Sequence, residues 1–171
     1  MRKLEEVIHF LTAITKYIAL ATMTLMMIFI TFAVFSRMLF SPIIGDIEIV
    51  QLGMVVLIMC GLAYTEQVNG HITIDIITSR LSYKWQRVLE IFGAFLTFII
   101  TILIAYIYLH VGIFHQLTMP ISTTLLEIPF YPFDYIITIG FLMWGAEAFL
   151  RMLKLILSLN HENIGGDEHA G

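Results

Sequence analysis

The sequence predicts an all-α integral membrane protein with four transmembrane helices, an interfacial amphipathic helix between the second and third, and both termini in the cytoplasm. Composition is the first reason: 59% of the 171 residues are apolar, 13% are charged, and the mean hydropathy is +0.91. A soluble domain of this size leaves much of its surface wet and could not hide so much apolar area. Charge position is the second reason, because the charges divide the chain into four long apolar segments within one predicted membrane domain, residues 1–157.

The four spans follow from uncharged runs and helix-breaking residues. Twenty uncharged residues separate Lys16 from Arg37, which is about 30 Å of helix and enough to cross the hydrocarbon core. This run is too long for the apolar region of a signal peptide, so it is predicted to be a retained first span. Asp46 is the expected N-cap of the second span, and Pro132 is the expected first residue of the fourth, with Asp134 in its first turn. The predicted spans are 15–36, 47–65, 88–111 and 132–153.

Residues 72–87 have a different pattern, in which apolar side chains recur at helical spacing and polar ones occupy the other side. Such a helix lies along the membrane interface, and it can continue into the third span. Lys84, Trp85 and Arg87 are suited to the headgroup level and are the predicted interfacial anchors. After the fourth span, residues 158–171 are acidic and contain glycine, which predicts a disordered cytoplasmic tail.

The orientation follows from the basic residues, because loops on the cytoplasmic side carry an excess of lysine and arginine. With the N-terminus inside, Arg37 is the single basic residue on the outer side. Arg37 could form a salt bridge with Asp46 or Glu48, or it could contact a partner protein, and the sequence leaves both alternatives open. The predicted cytoplasmic set is Arg2, Lys3, Lys16, Arg80, Lys84, Arg87, Arg151 and Lys154.

Carboxylates at the middle of a span usually mark a transport path, and none is found there. Glu66 and Glu90 lie at cytoplasmic ends of spans, and Glu147 is four residues before Arg151, a spacing that predicts an ion pair within one helix. The chain is therefore not expected to move an ion or solute by itself. We also expect no catalytic residue, no metal, no cofactor and no nucleic-acid partner.

Two other functions would each require a feature of their own within the membrane. A membrane anchor subunit of an oxidoreductase, binding haem or quinone, would need histidines that face each other at similar depth. His110 and His115 are both at the outer end of the third span, and His110 has no such partner on the other spans. A small multidrug exporter would need a carboxylate inside the membrane, and Glu147 and Glu66 are the candidates.

The connection between the third and fourth spans is long and unusually apolar for a loop. Residues 120–132 contain three prolines, which exclude a continuous helix, together with several large apolar side chains. An apolar loop at a membrane edge needs lipid or a protein surface to cover it.

In order along the chain, these features resemble the small membrane subunit of tripartite ATP-independent periplasmic (TRAP) transporters, the DctQ-type family. The resemblance covers residues 4–153 and depends on an arginine that ends span one, an acid eleven residues later, a Gly-His-Ile-x-x-Asp element and an outer segment before span four. Family members often carry Trp-x-Glu-Glu at the start of span two, whereas this chain has Gly-Asp-Ile-Glu-Ile at 45–49. The matching positions are Arg37, Glu48, Gly70-His71-Ile72-Thr73-Ile74-Asp75 and residues 122–129.

The resemblance implies a non-catalytic subunit in the bacterial inner membrane. In this family a DctP-type periplasmic binding protein captures an organic acid, a DctM-type large subunit moves it coupled to sodium, and the small subunit serves as scaffold. C4-dicarboxylates and sialic acid are both typical substrates, and the sequence does not choose between them. The resemblance also assigns Gly70, His71 and Asp75 to a cytoplasmic turn. It implies that membrane lipids, the large subunit and the receptor are the partners, the last at Arg37, Asp46, Glu48 and Glu127.

Overall fold

The computed structural model describes residues 2–68, 70 and 83–166, and these residues form four α-helices. Each helix is long and apolar enough to cross a membrane, as the hydropathy pattern predicted. The all-helical class with four candidate spans is therefore confirmed. The helices are α1 (Arg2–Leu39), α2 (Asp46–Gln67), α3 (Tyr83–Leu117) and α4 (Tyr131–Gly166).

Every predicted span lies within one helix, but the helices are longer than the spans. Hydropathy marks only the part of a helix that fits the hydrocarbon, and helix propagation continues beyond it until a breaking residue intervenes. Residues 83–87 of the predicted interfacial helix belong to α3, while residues 71–82 lie outside the described residues. The interfacial helix and the cytoplasmic position of both termini therefore stay predictions.

The C-terminal segment differs from the predicted disordered tail, residues 158–171, because α4 continues to Gly166. Residues 158–166 of the predicted disordered tail are thus helical, and residues 167–171 lie outside the described part of the chain. The continuation has a physical reason: no glycine or proline interrupts the chain between Gly145 and Gly165. Disorder of the last residues stays a prediction.

Neighbouring helices along the chain run antiparallel, so the bundle has two distinguishable ends. Lys154 of α4 contacts Glu5 of α1, which places the start of α1 beside the later part of α4. We call this the terminal end. Arg37 of α1 contacts Asp46 of α2 at the opposite end, which also carries the loop between α3 and α4. We call this the loop end.

Helix α4 is the centre of the packing, because it lies against α2 and α3 along much of its length and against α1 more briefly. Two glycines of α4 allow close approach. A methyl group added at Gly140 would lie 2.8 Å from the carbonyl oxygen of Met59 on α2. At Gly145 it would lie 2.9 Å from Oγ1 of Thr101 on α3. Small residues at such crossings are typical of helix packing in membranes.

Helices α1 and α3 each present large apolar side chains to the outside. Phe10 and Leu25 on α1 and Leu103 and Tyr106 on α3 are all exposed by more than half. A surface of this kind needs lipid or another protein to cover it.

Candidate functional site

The loop end contains the predicted docking residues. Arg37 lies in the last turn of α1, and its Nη2 donates to Oδ2 of Asp46 at 2.7 Å. Of the two alternatives that the sequence left open, the internal salt bridge is therefore formed. Arg37 nevertheless remains 59% exposed, so much of its guanidinium is accessible to a second partner.

Asp46 was expected to be the N-cap of α2, and this prediction was wrong by one residue. Gly45 occupies the cap position with φ 80°, and Asp46 is the first helical residue. Its Oδ1 accepts a hydrogen bond from the amide of Ile47 at 2.8 Å, while Oδ2 bonds Arg37. The carboxylate is thus engaged by its own neighbour and by α1. Acidic side chains in the first turn of α2 also interact favourably with the positive end of the helix dipole.

Glu48 contacts residues at this end that are far from it in the sequence. Its Oε1 accepts from the amide of Leu125 at 2.8 Å, and its Oε2 accepts from the amide of Leu126 at 2.9 Å. Both donors belong to the loop between α3 and α4, which is more than seventy residues away in the chain. Glu48 therefore joins the start of α2 to the tip of that loop.

The loop has its own closed structure. The amide of Thr123 donates to the carbonyl of Ile128 at 2.9 Å, and the amide of Ile128 donates to Oγ1 of Thr123 at 3.1 Å. Ser122 and Pro129, the residues just outside this pair, form an antiparallel bridge. Glu127 has φ 53°, a left-handed conformation that is uncommon outside glycine and completes the tight tip. The residues from 118 to 130 thus form a small hairpin, which we call the outer hairpin.

Helices α3 and α4 are also joined at the loop end. Nδ1 of His115 lies 2.7 Å from Oδ2 of Asp134, and both side chains are largely buried. The hydroxyl of Tyr135 donates to Oε1 of Gln116 at 2.6 Å. The sequence indicated Asp134 only as a helix-dipole partner. Its pairing with His115 could have been found by aligning the two helices as an antiparallel hairpin.

The terminal end holds two nearly buried carboxylates. Glu66 on α2, which is 5% exposed, accepts from Nε1 of Trp144 at 3.1 Å and from Nη1 of Arg151 at 3.2 Å. The intrahelical pair between Glu147 and Arg151 was the wrong prediction. Arg151 bonds a carboxylate on the neighbouring helix, because that carboxylate lies in the buried contact between α2 and α4.

Glu147 on α4 is 3% exposed and faces α1. Its Oε1 accepts from the hydroxyl of Thr12 at 2.5 Å and lies 3.2 Å from Nδ1 of His9. The same histidine nitrogen contacts the side-chain amide of Gln67 on α2. Three helices therefore meet at this point, and sequence reasoning missed the connection because Thr12 and His9 carry no signal in isolation.

These groups surround a cavity of about 340 Å³ between the helix ends. Lys154 lies on its wall and pairs with Glu5 of α1 at 2.5 Å. Acidic and basic groups are mixed along the walls, and the pairs Arg151–Glu66 and Lys154–Glu5 join different helices. The arrangement connects the ends of the helices. The lining residues are His9, Glu66, Gln67, Glu90, Glu147, Leu150, Arg151, Lys154 and Leu155.

The predicted cytoplasmic turn and interfacial anchors are only partly described. The amide of Gly70 donates to the carbonyl of Thr65 at 2.8 Å, which closes the end of α2. His71 and Asp75 lie outside the described residues, as does the side chain of Lys84. Trp85 is exposed on α3, and Arg87 lies 3.7 Å from Glu90 one turn further along the same helix.

The histidines of the loop end are held by aromatic and acidic neighbours. The ring of His110 meets the ring of Tyr106 edge-on at 4.6 Å, and His115 bonds Asp134 as described above. Within residues 2–68, 70 and 83–166, no group of three or more histidine, cysteine, aspartate and glutamate side chains is placed to hold a metal ion.

Comparison with known families identifies the chain. The family model for the DctQ component of tripartite ATP-independent periplasmic transporters matches residues 26–158, which is more than three quarters of the sequence. No curated protein sequence matches. The matched region begins within α1, covers all of α2, α3 and the outer hairpin, and ends within α4. The chain therefore belongs to the DctQ family, and it is a small membrane component of a tripartite ATP-independent periplasmic transporter.

Proposed function

We propose that this chain is the non-catalytic small permease subunit of a sodium-coupled symporter in the bacterial inner membrane. In this proposal a DctM-type large subunit takes up an organic acid that a DctP-type periplasmic receptor delivers. The chain braces the large subunit and contributes to the surface on which the receptor docks.

The observation that carries the scaffold proposal is the engagement of the two most buried carboxylates. Glu66 and Glu147 accept hydrogen bonds from other helices of the same chain. Glu66 lies beside the end of α2, and Glu147 contacts Thr12 and His9 near the start of α1. A transported cation or proton would need a carboxylate that exchanges its partner during each cycle. Side chains bonded in this way instead fix the positions of the helices. The exposed apolar faces of α1 and α3 would then be covered by the large subunit and by lipid.

The docking proposal depends on the loop end. Arg37, Asp46, Glu48 and Glu127 are gathered there together with the outer hairpin. Arg37 is well exposed in spite of its salt bridge, so it remains available for a carboxylate on the receptor. Charges at the rim of an interface affect the rate of association more than the affinity.

Reconstitution tests the proposal directly. Liposomes would contain this chain alone, the large subunit alone, or both, and the receptor would be added with a radiolabelled organic acid under an inward sodium gradient. We expect uptake only where both membrane subunits are present, and none without the gradient or without the receptor. Sodium-dependent uptake by this chain alone would refute the scaffold role, and full uptake by the large subunit alone would refute the need for it.

A further inference from the structure

We infer that Glu48 is a positioning residue that fixes the tip of the outer hairpin, so that the tip itself, residues 124–127, is what the chain presents to the receptor. This inference rests on the proposed docking of the receptor at the loop end. It assigns Glu48 a different role from Arg37, although both were predicted as members of one docking surface.

The first argument is that both carboxylate oxygens of Glu48 are bonded within the chain. Each of its oxygens accepts one backbone amide, from Leu125 at 2.8 Å and from Leu126 at 2.9 Å. Two consecutive amides converging on one carboxylate form a small anion-binding arrangement, and the negative charge strengthens both bonds. The carboxylate therefore already has a role within the chain, which is to hold two amides of the hairpin tip.

The second argument is the fit of the hairpin on the start of α2. Gly45 is buried, and a methyl group built on it would lie 2.5 Å from Cγ of Leu126. Its φ of 80° also favours glycine over any residue with a side chain. The side chain of Leu126 therefore packs against the backbone of Gly45, next to the salt bridge between Arg37 and Asp46. The hydrogen bond from its amide to Glu48 holds Leu126 in this position.

The third argument is what remains accessible once the tip is fixed. Leu125 is 62% exposed although its amide is bonded, and Glu127 is exposed beside it. A large apolar side chain next to a carboxylate on a rigid turn fits a partner with an apolar recess bordered by a basic residue. Fixing such a turn before binding lowers the entropy lost on association. Loss of Glu48 should therefore weaken docking through the conformation of the tip.

Hydrogen exchange and transport kinetics together test this assignment. The variants are Glu48→Gln and Glu48→Asp in the complete complex, with Glu90→Gln at the opposite end as a matched control. Glu48→Asp keeps the charge but shortens the side chain by ~1.5 Å, so it cannot hold both amides in the same geometry. We expect both Glu48 variants to speed exchange of the Leu125 and Leu126 amides by at least about tenfold. The receptor concentration for half-maximal uptake should also rise about tenfold at unchanged maximal rate, and Glu90→Gln should change neither.

A second variant separates the tip from its support. Leu125→Ser should weaken the receptor interaction while leaving exchange of the Leu126 amide unchanged. If Glu48→Gln weakens the receptor interaction while exchange of the Leu125 and Leu126 amides stays unchanged, the charge itself contacts the partner and the positioning role is wrong. Unchanged amide exchange in both Glu48 variants would also overturn it. If exchange accelerates but the receptor concentration dependence stays the same in all variants, receptor docking at this hairpin is wrong, while the contact between Glu48 and the hairpin stands.

Discussion

The bond between Thr12 and Glu147 offers a stringent test of how α1 is held. Thr12 is fully buried, and its hydroxyl donates to the carboxylate of Glu147 at 2.5 Å. Thr12→Val replaces the hydroxyl with a methyl group of nearly the same shape, so packing is retained and the hydrogen bond is lost. A hydrogen bond to a charged group contributes about 1.5–3 kcal/mol. His9 would still contact the same oxygen of Glu147, so that oxygen keeps one partner. We therefore expect the free energy of unfolding to fall by ~2 kcal/mol.

The assay is thermal unfolding in detergent micelles, followed by intrinsic tryptophan fluorescence. For a chain of this size, a loss of ~2 kcal/mol lowers Tm by about 4–8 °C. Thr24→Val is the matched control, since the exposed hydroxyl of Thr24 donates to the carbonyl of Leu20 in its own helix. Its effect on the free energy of unfolding should stay within ~0.5 kcal/mol. A Thr12→Val protein that melts within about 1 °C of the unaltered chain, or a control that loses as much, would refute the reasoning.

The same substitution in a Glu147→Gln background measures the coupling. A neutral amide oxygen still accepts from Thr12, but the bond is then worth about 1 kcal/mol. The cost of Thr12→Val should therefore fall by about half in the double variant. Equal costs in the two backgrounds would mean that the charge of Glu147 does not contribute to the bond.

Two further predictions concern the loop end. Gly45→Ala should destabilise the chain by about 1–3 kcal/mol, because alanine disfavours a φ of 80° and its methyl group would collide with Leu126. Gly61→Ala is the control and should not lower Tm, because a methyl group at that position meets no neighbouring atom of the chain within 4 Å. Hydrogen exchange of the outer hairpin and Tm would be compared in the two variants, and equal effects would contradict the steric argument. Arg37→Glu places two negative charges together at Asp46, so we expect impaired receptor-dependent uptake with unchanged copurification of the large subunit. Unchanged uptake would make Arg37 a local salt-bridge partner only.

The membrane spans could be predicted from the sequence because the hydrocarbon imposes a simple constraint on it. Twenty uncharged residues after Lys16 specify a crossing regardless of what surrounds the helix. The ends of the helices could not be located in this way. Outside the hydrocarbon, backbone hydrogen bonding continues until glycine, proline or a turn stops it, and α1 is already helical at Arg2, well before the predicted span.

The polar contacts were predicted only where both partners are close along the chain. Arg37 and Asp46 are nine residues apart, and their salt bridge was one of two alternatives. Glu48 was recognised as notable, but nothing in its surroundings along the sequence indicates Leu125, because the contact depends on how α3 and α4 return the chain to the loop end. Arg151 shows the opposite error. The spacing within α4 predicted Glu147 as its partner, but the packing of α4 against α2 brings Arg151 to Glu66 instead.

The proposed scaffold role depends on how these contacts are distributed along the helices. Between the ends, α4 meets its neighbours through close approaches such as Gly145 against Thr101, which fix distance but oppose sliding only weakly. At both ends, bonds such as Glu66 to Arg151 and His115 to Asp134 fix the register of the helices. In a membrane these bonds are retained because the separated partners would be left unsatisfied. Substitutions that remove them should therefore impair transport by the complete complex, because they would alter the shape that this chain offers to the proposed large subunit.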